Sequence, residues 1–188
     1  MKNIAIFASG SGTNAQRIAE YFANSNIRIS GIYSNNKNAY VLTRAENLGI
    51  KAYQFSRNDF YKTSKVLNQL LEDQVDLIVL AGFLWLIPSN ILRKFSNRII
   101  NIHPALLPKY GGKGMYGSKV HDAVIIAKEK ESGITVHFVN EKYDEGKIIF
   151  QAKCRIETSD TPDSLAAKIH QLEYEHFPVI IEKVLKEL

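Results

Sequence analysis

Two polar residues with chemistry to offer stand one residue apart in the stretch Asn101-Ile102-His103-Pro104-Ala105-Leu106-Leu107-Pro108. An imidazole exchanges a proton near neutral pH, and an amide N–H can donate to an oxygen on which negative charge develops. The pairing suits acyl chemistry. Arg98-Ile99-Ile100, just before it, reads as a short buried strand, and the glycine-rich stretch from Lys109 to Gly117 reads as a loop. With a side-chain period of two, Asn101 and His103 face the same way. A nearby carboxylate would favour the imidazolium and raise the histidine pKa. Asp144, in the polar segment Asn140-Glu141-Lys142-Tyr143-Asp144-Glu145-Gly146, is the best candidate, whereas Glu141 and Glu145 read as solvated turn charges. His137 lies in an alternating run and is either a core histidine satisfied by a carbonyl or a support for the loop that holds these groups.

A second cluster opens the chain. Ser9-Gly10-Ser11-Gly12-Thr13-Asn14 follows an apolar run, and Ala15, Ile18, Ala19 and Phe22 then recur at helical spacing. Strand, glycine loop and helix together aim backbone N–H groups at an anion. Ser11, Thr13 and Asn14 add donors and could cap the helix. The same residues satisfy the Gly-x-Gly-x-x-Ala dinucleotide fingerprint. That fingerprint also needs an acidic residue at the end of the second strand, where this chain has Ser34-Asn35-Asn36. A nicotinamide enzyme is therefore disfavoured. No Gly-x-Ser-x-Gly elbow points to a serine hydrolase. His121, His170 and His176 fall on helices at no spacing that demands a metal.

The elements that must position these groups alternate. Strands are expected at 3–8, 27–33, 52–54 and 76–81, with helices after the glycine loop and at 39–48, 58–72 and 89–95. Such alternation predicts βαβ units and a parallel sheet, in which ligands bind beyond the carboxyl ends of the strands. Three loops would share that edge: 9–14, 82–88 and 103–117. Gly82-Phe83-Leu84-Trp85-Leu86-Ile87-Pro88 is either core or the wall of a pocket for a flat ligand. A helix at 118–130 should turn Val120, Ala123, Val124 and Ala127 inward. Strands at 134–139 and 147–156 read as a hairpin, making the sheet mixed. Thr161 and Pro162 open a last helix with Leu165, Ile169, Leu172 and Val179 inward, which Pro178 should kink or break. The fold class is α/β: a Rossmann-like, mostly parallel twisted sheet with an antiparallel C-terminal hairpin and flanking helices.

At 188 residues the chain reads as one domain, with a phosphate-binding half (1–100) and a catalytic half (101–188). The 24 basic residues, giving a net charge of +5, are scattered rather than clustered, which argues against a nucleic-acid partner. No apolar run approaches a membrane span. The single cysteine, Cys154, reads as core filling in a reducing compartment. A cytoplasmic protein is expected.

Taken together, these motifs resemble the phosphoribosylglycinamide formyltransferase family. The resemblance is carried by Ser9–Asn14, Val79-Leu80-Ala81-Gly82-Phe83, Asn101–Tyr110, Gly133-Ile134-Thr135-Val136-His137-Phe138-Val139 and Tyr143-Asp144-Glu145-Gly146, over nearly the full length. It implies the formyltransferase fold and transfer of a formyl group from 10-formyltetrahydrofolate, as co-substrate and without a metal, to glycinamide ribonucleotide. Asn101, His103 and Asp144 would be catalytic, with His103 protonated and kept so by Asp144. Ser11, Gly12, Thr13 and Asn14 would hold the phosphate. His170, Gln171, Leu172 and Glu173 would meet the ribonucleotide. Leu84, Trp85, Leu86, Ile87, Asn101, Asn140, Glu141, Lys142, Tyr143 and Asp144 would receive the folate, with His137 behind them. The resemblance leaves open a homodimer, another folate-dependent formyltransferase and a formyl-folate hydrolase; a nucleotide-binding module is the rival from another class. The loop at 111–117 and Trp85 depart from the commoner family pattern.

Overall fold

The computed structural model describes residues 1–188. One seven-stranded sheet runs through both halves of the chain in the order β3-β2-β1-β4-β5-β6-β7. The strands are β1 (Lys2–Phe7), β2 (Ile27–Ser34), β3 (Ala52–Gln54), β4 (Leu77–Leu80), β5 (Ile99–His103), β6 (Glu131–Phe138) and β7 (Ile148–Arg155). Strands β1 to β5 are parallel, while β6 runs antiparallel to β5, and β7 to β6. The order reverses between β1 and β4, so the loops after these strands diverge and leave a crevice at the switch point.

The helices are α1 (Thr13–Phe22), α2 (Tyr40–Asn47), α3 (Arg57–Tyr61), α4 (Lys65–Glu72), α5 (Ser89–Lys94), α6 (Ser118–Ile126) and α7 (Pro162–Lys186). Alternating strand residues feed two cores. Ile4, Ile6, Ile100 and Ile102 pack with Ile18 of α1, Val124 of α6 and Leu165, Ile169 and Phe177 of α7. Ala5, Phe7, Ile78, Leu80 and Ile99 pack with Phe60, Val66, Leu70 and Ile91 on the other face. Continuous apolar strands are what a sheet covered on both faces requires.

Three expectations need correction. The single helix expected at 58–72 is two. Ser56 caps α3 in a reciprocal box with Asp59, and the Thr63 hydroxyl then donates to the Asp59 carbonyl and accepts from the Lys65 N–H, so the chain turns before α4. Helix α6 buries His121 with Val120 and Val124, whereas Ala127 is exposed. Helix α7 opens on Thr161 and Pro162 as expected, yet Pro178 does not break it: it continues for 25 residues, with Phe177, Pro178, Ile180 and Ile181 buried and Val179 exposed.

Candidate active site

The three loops meet in a cleft of about 660 Å³ lined by residues 9–14, 81–84, 101–104 and 112–117, together with His121, Tyr143, Asp144, His170 and Glu173. The phosphate-loop candidate is braced from behind. The Gly10 carbonyl accepts from the Val41 N–H, and the Ser11 carbonyl from Arg44 Nε at 2.8 Å. Gly12 sits at φ +75° against Val41, where a Cβ would clash. It caps α1 without help from any side chain. The capping expected of Ser11, Thr13 or Asn14 is thus absent. Asn14 Nδ2 instead donates to Glu173 Oε2 at 2.9 Å, bridging α1 to α7. The unpaired N–H groups of the first turn of α1 stand beside the cleft. The Leu84 N–H donates to Ser9 Oγ at 3.1 Å, joining this loop to the next.

Asn101 and His103 lie within β5 itself, and cross-strand pairing brings their partners. Asn101 faces His137 of β6. His137 Nδ1 donates to the Phe138 carbonyl at 2.9 Å, so its Nε2 accepts from Asn101 Nδ2 at 3.1 Å. His137 is therefore both the carbonyl-satisfied histidine and the support that the sequence left as alternatives. It fixes the amide so that one N–H is held firmly. The other reaches Asp144 Oδ1 only at 3.5 Å.

His103 is buried, and its Nε2 donates to the Tyr110 carbonyl at 2.7 Å. That bond fixes the tautomer: Nδ1 is the atom left for chemistry, 3.6 Å from Asp144 Oδ2. Burial pushes the His103 pKa below its ordinary value of 6.5, and this outweighs the opposing pull of Asp144 and of the Tyr110 carbonyl. His103 thus rests neutral, contrary to the expected protonated form. Asp144 is also partly buried, which favours its neutral form. Its contacts with His137 and His103 and the hydrogen bond from the Gly112 N–H reverse that and hold the carboxyl below its usual range. The Gly112 N–H donates to Asp144 Oδ2 at 2.9 Å, and Asp144 itself adopts φ +56°, a strained backbone of the kind that collects at functional sites. The 109–117 loop thus sets the tautomer of His103 through Tyr110 and holds Asp144 through Gly112.

An adjoining apolar pocket of about 50 Å³ is lined by Leu80, Phe83, Trp85, Leu86, Ile87 and Val139, with Asn101, His137, Lys142, Tyr143 and Asp144. Phe83, Asn101, Tyr143 and Asp144 line both cavities. Trp85 also packs near Phe55, Phe60 and Tyr61, and the Arg57 guanidinium lies over its ring and that of Tyr61. The 83–87 segment is therefore both core and pocket wall, with Leu84 facing the larger cleft.

The family is decided by comparison with known proteins. Residues 2–181 match the family model described as formyl transferase. The chain belongs to the formyl transferase family. It is 36% identical over 193 residues to the chloroplastic phosphoribosylglycinamide formyltransferase of Arabidopsis thaliana, covering 99% of this chain and 66% of that protein. With the Bacillus subtilis phosphoribosylglycinamide formyltransferase it shares 34% identity, covering 98% of this chain and 95% of that one. The chain thus spans just under two thirds of the plant relative and nearly all of the bacterial one. The crystal structure of glycinamide ribonucleotide transformylase 1 from Geobacillus kaustophilus superposes with a TM-score of 0.88 at 34% identity, over 98% of this chain and 99% of that one.

Within this member of the formyl transferase family the remaining site candidates separate by position. His170 and Glu173 line the cleft and pair at 2.9 Å; the bond to Glu173 raises the His170 pKa against the effect of burial. Gln171 is exposed, and Leu172 packs against the core. Asn140 and Glu141 are exposed and line neither cavity, although Asn140 Oδ1 accepts the Lys142 N–H and so shapes the turn. Lys113, Met115, Tyr116 and His121 line the cleft without having been singled out from sequence. Buried Thr135 was missed too. Its hydroxyl donates to the Ala105 carbonyl at 2.7 Å and accepts the Leu107 N–H at 3.0 Å, pinning the segment after His103 to the sheet. No helix is long and apolar enough to cross a membrane.

Proposed function

We propose that the protein transfers the formyl group of 10-formyltetrahydrofolate to the primary amine of glycinamide ribonucleotide. The observation that carries this reading is the shared border of two unlike cavities. The polar cleft has a helix N-terminus suited to a phosphate, the apolar pocket has walls suited to a flat heterocycle, and Asn101 and Asp144 line both. Reacting groups from a phosphorylated amine and a folate would meet there. The names of the relatives support the same acceptor and the transfer of a formyl group to it. The phosphate falls to residues 11–14, the ribonucleotide to His170 and Glu173, and the folate to residues 84–87 and to Lys142, Tyr143 and Asp144, in a turn that Asn140 shapes. Both halves of the chain would then act as one catalytic domain.

The chemistry follows from the tautomer. The neutral amine attacks the formyl carbon, a C–N bond forms, and the carbonyl π electrons move to oxygen. The second N–H of Asn101 turns from Asp144 to that oxygen. His103 Nδ1 takes the proton that the amine sheds and becomes an imidazolium beside Asp144. The intermediate collapses as the bond to the folate nitrogen breaks, and the proton passes from His103 to that nitrogen, directly or through water. Atoms and charge balance without a covalent enzyme intermediate.

The test is turnover. Protein mixed with glycinamide ribonucleotide and 10-formyltetrahydrofolate should release tetrahydrofolate at a rate that requires the amine. Equal release without the amine would identify a hydrolase, and no release with it would sink the transferase reading.

A further inference from the structure

We propose that His121 binds the sugar of the phosphoribosyl substrate, donating or accepting a hydrogen bond at a ribose hydroxyl. The inference rests on the transferase reading and goes beyond it. His121 lies on the first turns of α6, only 4% exposed, and lines the cleft. Its Nδ1 is among the few buried side-chain atoms with no hydrogen-bond partner. The other two buried histidines are held: His103 by the Tyr110 carbonyl, His137 by Asn101 and the Phe138 carbonyl. An unpaired polar group is costly to bury, so its place in the lining of a cleft asks for an occupant.

His121 lines the same cleft as the phosphate loop, the His170–Glu173 pair of α7 and His103 of β5, and His170, Glu173, Asp122 and His103 all act on it electrostatically. In a phosphoribosyl amide, the part between the phosphate and the reacting amine is the sugar with its amide link. The chemistry of the ring fits as well. Burial first, then His170, lowers its pKa, and a neutral imidazole offers one donor and one acceptor. That matches a hydroxyl, which can both accept and donate. Glu173, buried and held at Oε2 by Asn14 and His170, lines the same cleft and supplies an acceptor. A hydroxyl placed between them would accept from the imidazole and donate to the carboxylate.

The experiment compares wild type, His121→Ala and His121→Gln with glycinamide ribonucleotide and its 2′-deoxy and 3′-deoxy analogues. His121→Ala should raise KM for the natural substrate about tenfold, the value of one hydrogen bond, with kcat within about threefold. Gln should recover part of the loss. One deoxy analogue should cost wild type about tenfold in kcat/KM and cost His121→Ala less than about twofold, because the contact is already gone. Equal penalties in the two proteins, or a lowered Tm with KM unchanged, would overturn the proposal while leaving the transferase reading intact. A wild type inactive on the natural substrate would remove both. Should the Ala protein fail to fold, ¹⁵N-histidine spectra of wild type titrated with ribose 5-phosphate decide: the His121 nitrogens should shift on binding, and an unmoved pair of resonances counts against the assignment.

Discussion

Asp144→Asn removes one charge and little else. An asparagine oxygen can still accept the Gly112 N–H, so the 109–117 loop stays docked. What is lost is the attraction between the carboxylate and the imidazolium that forms on His103 during attack, across the 3.6 Å from Nδ1 to Oδ2. At an effective dielectric near 20, two unit charges about 4 Å apart attract by about 4 kcal/mol. Each 1.36 kcal/mol is a factor of ten in rate, so kcat should fall roughly a thousandfold. KM for the ribonucleotide should move less than about threefold, because the change is felt in the transition state. A second signature concerns pH. Asp144 pulls the His103 pKa upward against burial, so its loss should carry the acid limb of kcat/KM to lower pH. Steady-state kinetics from pH 5 to 8 read both effects. An Asp144→Asn enzyme within tenfold of wild type, or an acid limb displaced to higher pH, would refute the assignment of Nδ1 as the proton acceptor and Asp144 as its counter-ion.

Asn101→Ala removes the oxyanion donor and should cost about 3–4 kcal/mol of transition-state stabilisation, a hundred- to thousandfold in kcat, measured in the same assay; a loss confined to KM would contradict the role. Gly12→Ala forces a side chain into φ +75° against Val41 and should lower the unfolding free energy by about 2 kcal/mol in urea, while weakening inorganic phosphate as a competitor of the ribonucleotide; an unchanged urea midpoint would show that the loop relaxes freely. Stability should also decline on acidification below about pH 6.5. His103 and His121 are held neutral by burial, with pKa values below 6.5, so the unfolded chain binds more protons as pH falls through 6.5 and unfolding is favoured. His170, raised by Glu173, acts in the opposite sense, its contribution being lost as pH climbs through its folded value, but it is half exposed and weaker. Urea midpoints at pH 7.5, 6.5 and 5.5 check the slope, and a midpoint that rises on acidification would mean that the His170 pair outweighs the two buried rings.

Much of the fold was written locally. Apolar runs, glycine stops and the Thr161–Pro162 helix start mark out the strands and most helices, and the β5 pairing of Asn101 with His103 follows from a period of two. The features that escaped are those settled by contacts far apart in sequence. Asn14 is predicted as a cap because its helix start is local information, while its real partner, Glu173, lies 159 residues away. His121 falls off the inward stripe that Val120, Ala123, Val124 and Ala127 suggest; the roll of α6 against the sheet and α7, a tertiary quantity, buries it. Thr135 looks like any strand threonine until the chain after His103 folds back over it. Even the α3–α4 break, signalled by Ser56 and Thr63, is hidden by an apolar periodicity that continues through Phe60, Val66 and Leu70.

The protonation state of His103 is the most consequential of these tertiary quantities. From sequence, a neighbouring carboxylate argues for a charged imidazole. In the fold, burial depresses the pKa more than Asp144 raises it. These influences do not work at cross purposes, because they act at different points of the reaction. A resting imidazolium would have no site left to accept a proton from the amine, and would already draw its full stabilisation from Asp144 before attack began. A buried neutral ring, its Nε2–H committed to the Tyr110 carbonyl, presents only Nδ1, and a carboxylate waits 3.6 Å from that atom. The ion pair then comes into being as the proton arrives, so its attraction lowers the energy of the transition state relative to the ground state, the difference on which rate depends. The same argument assigns a role to the 109–117 loop. If its backbone withdrew, His103 would lose the carbonyl that sets its tautomer and Asp144 would lose the Gly112 N–H together, so substitutions in this loop should depress kcat even where the side chain changed touches no substrate.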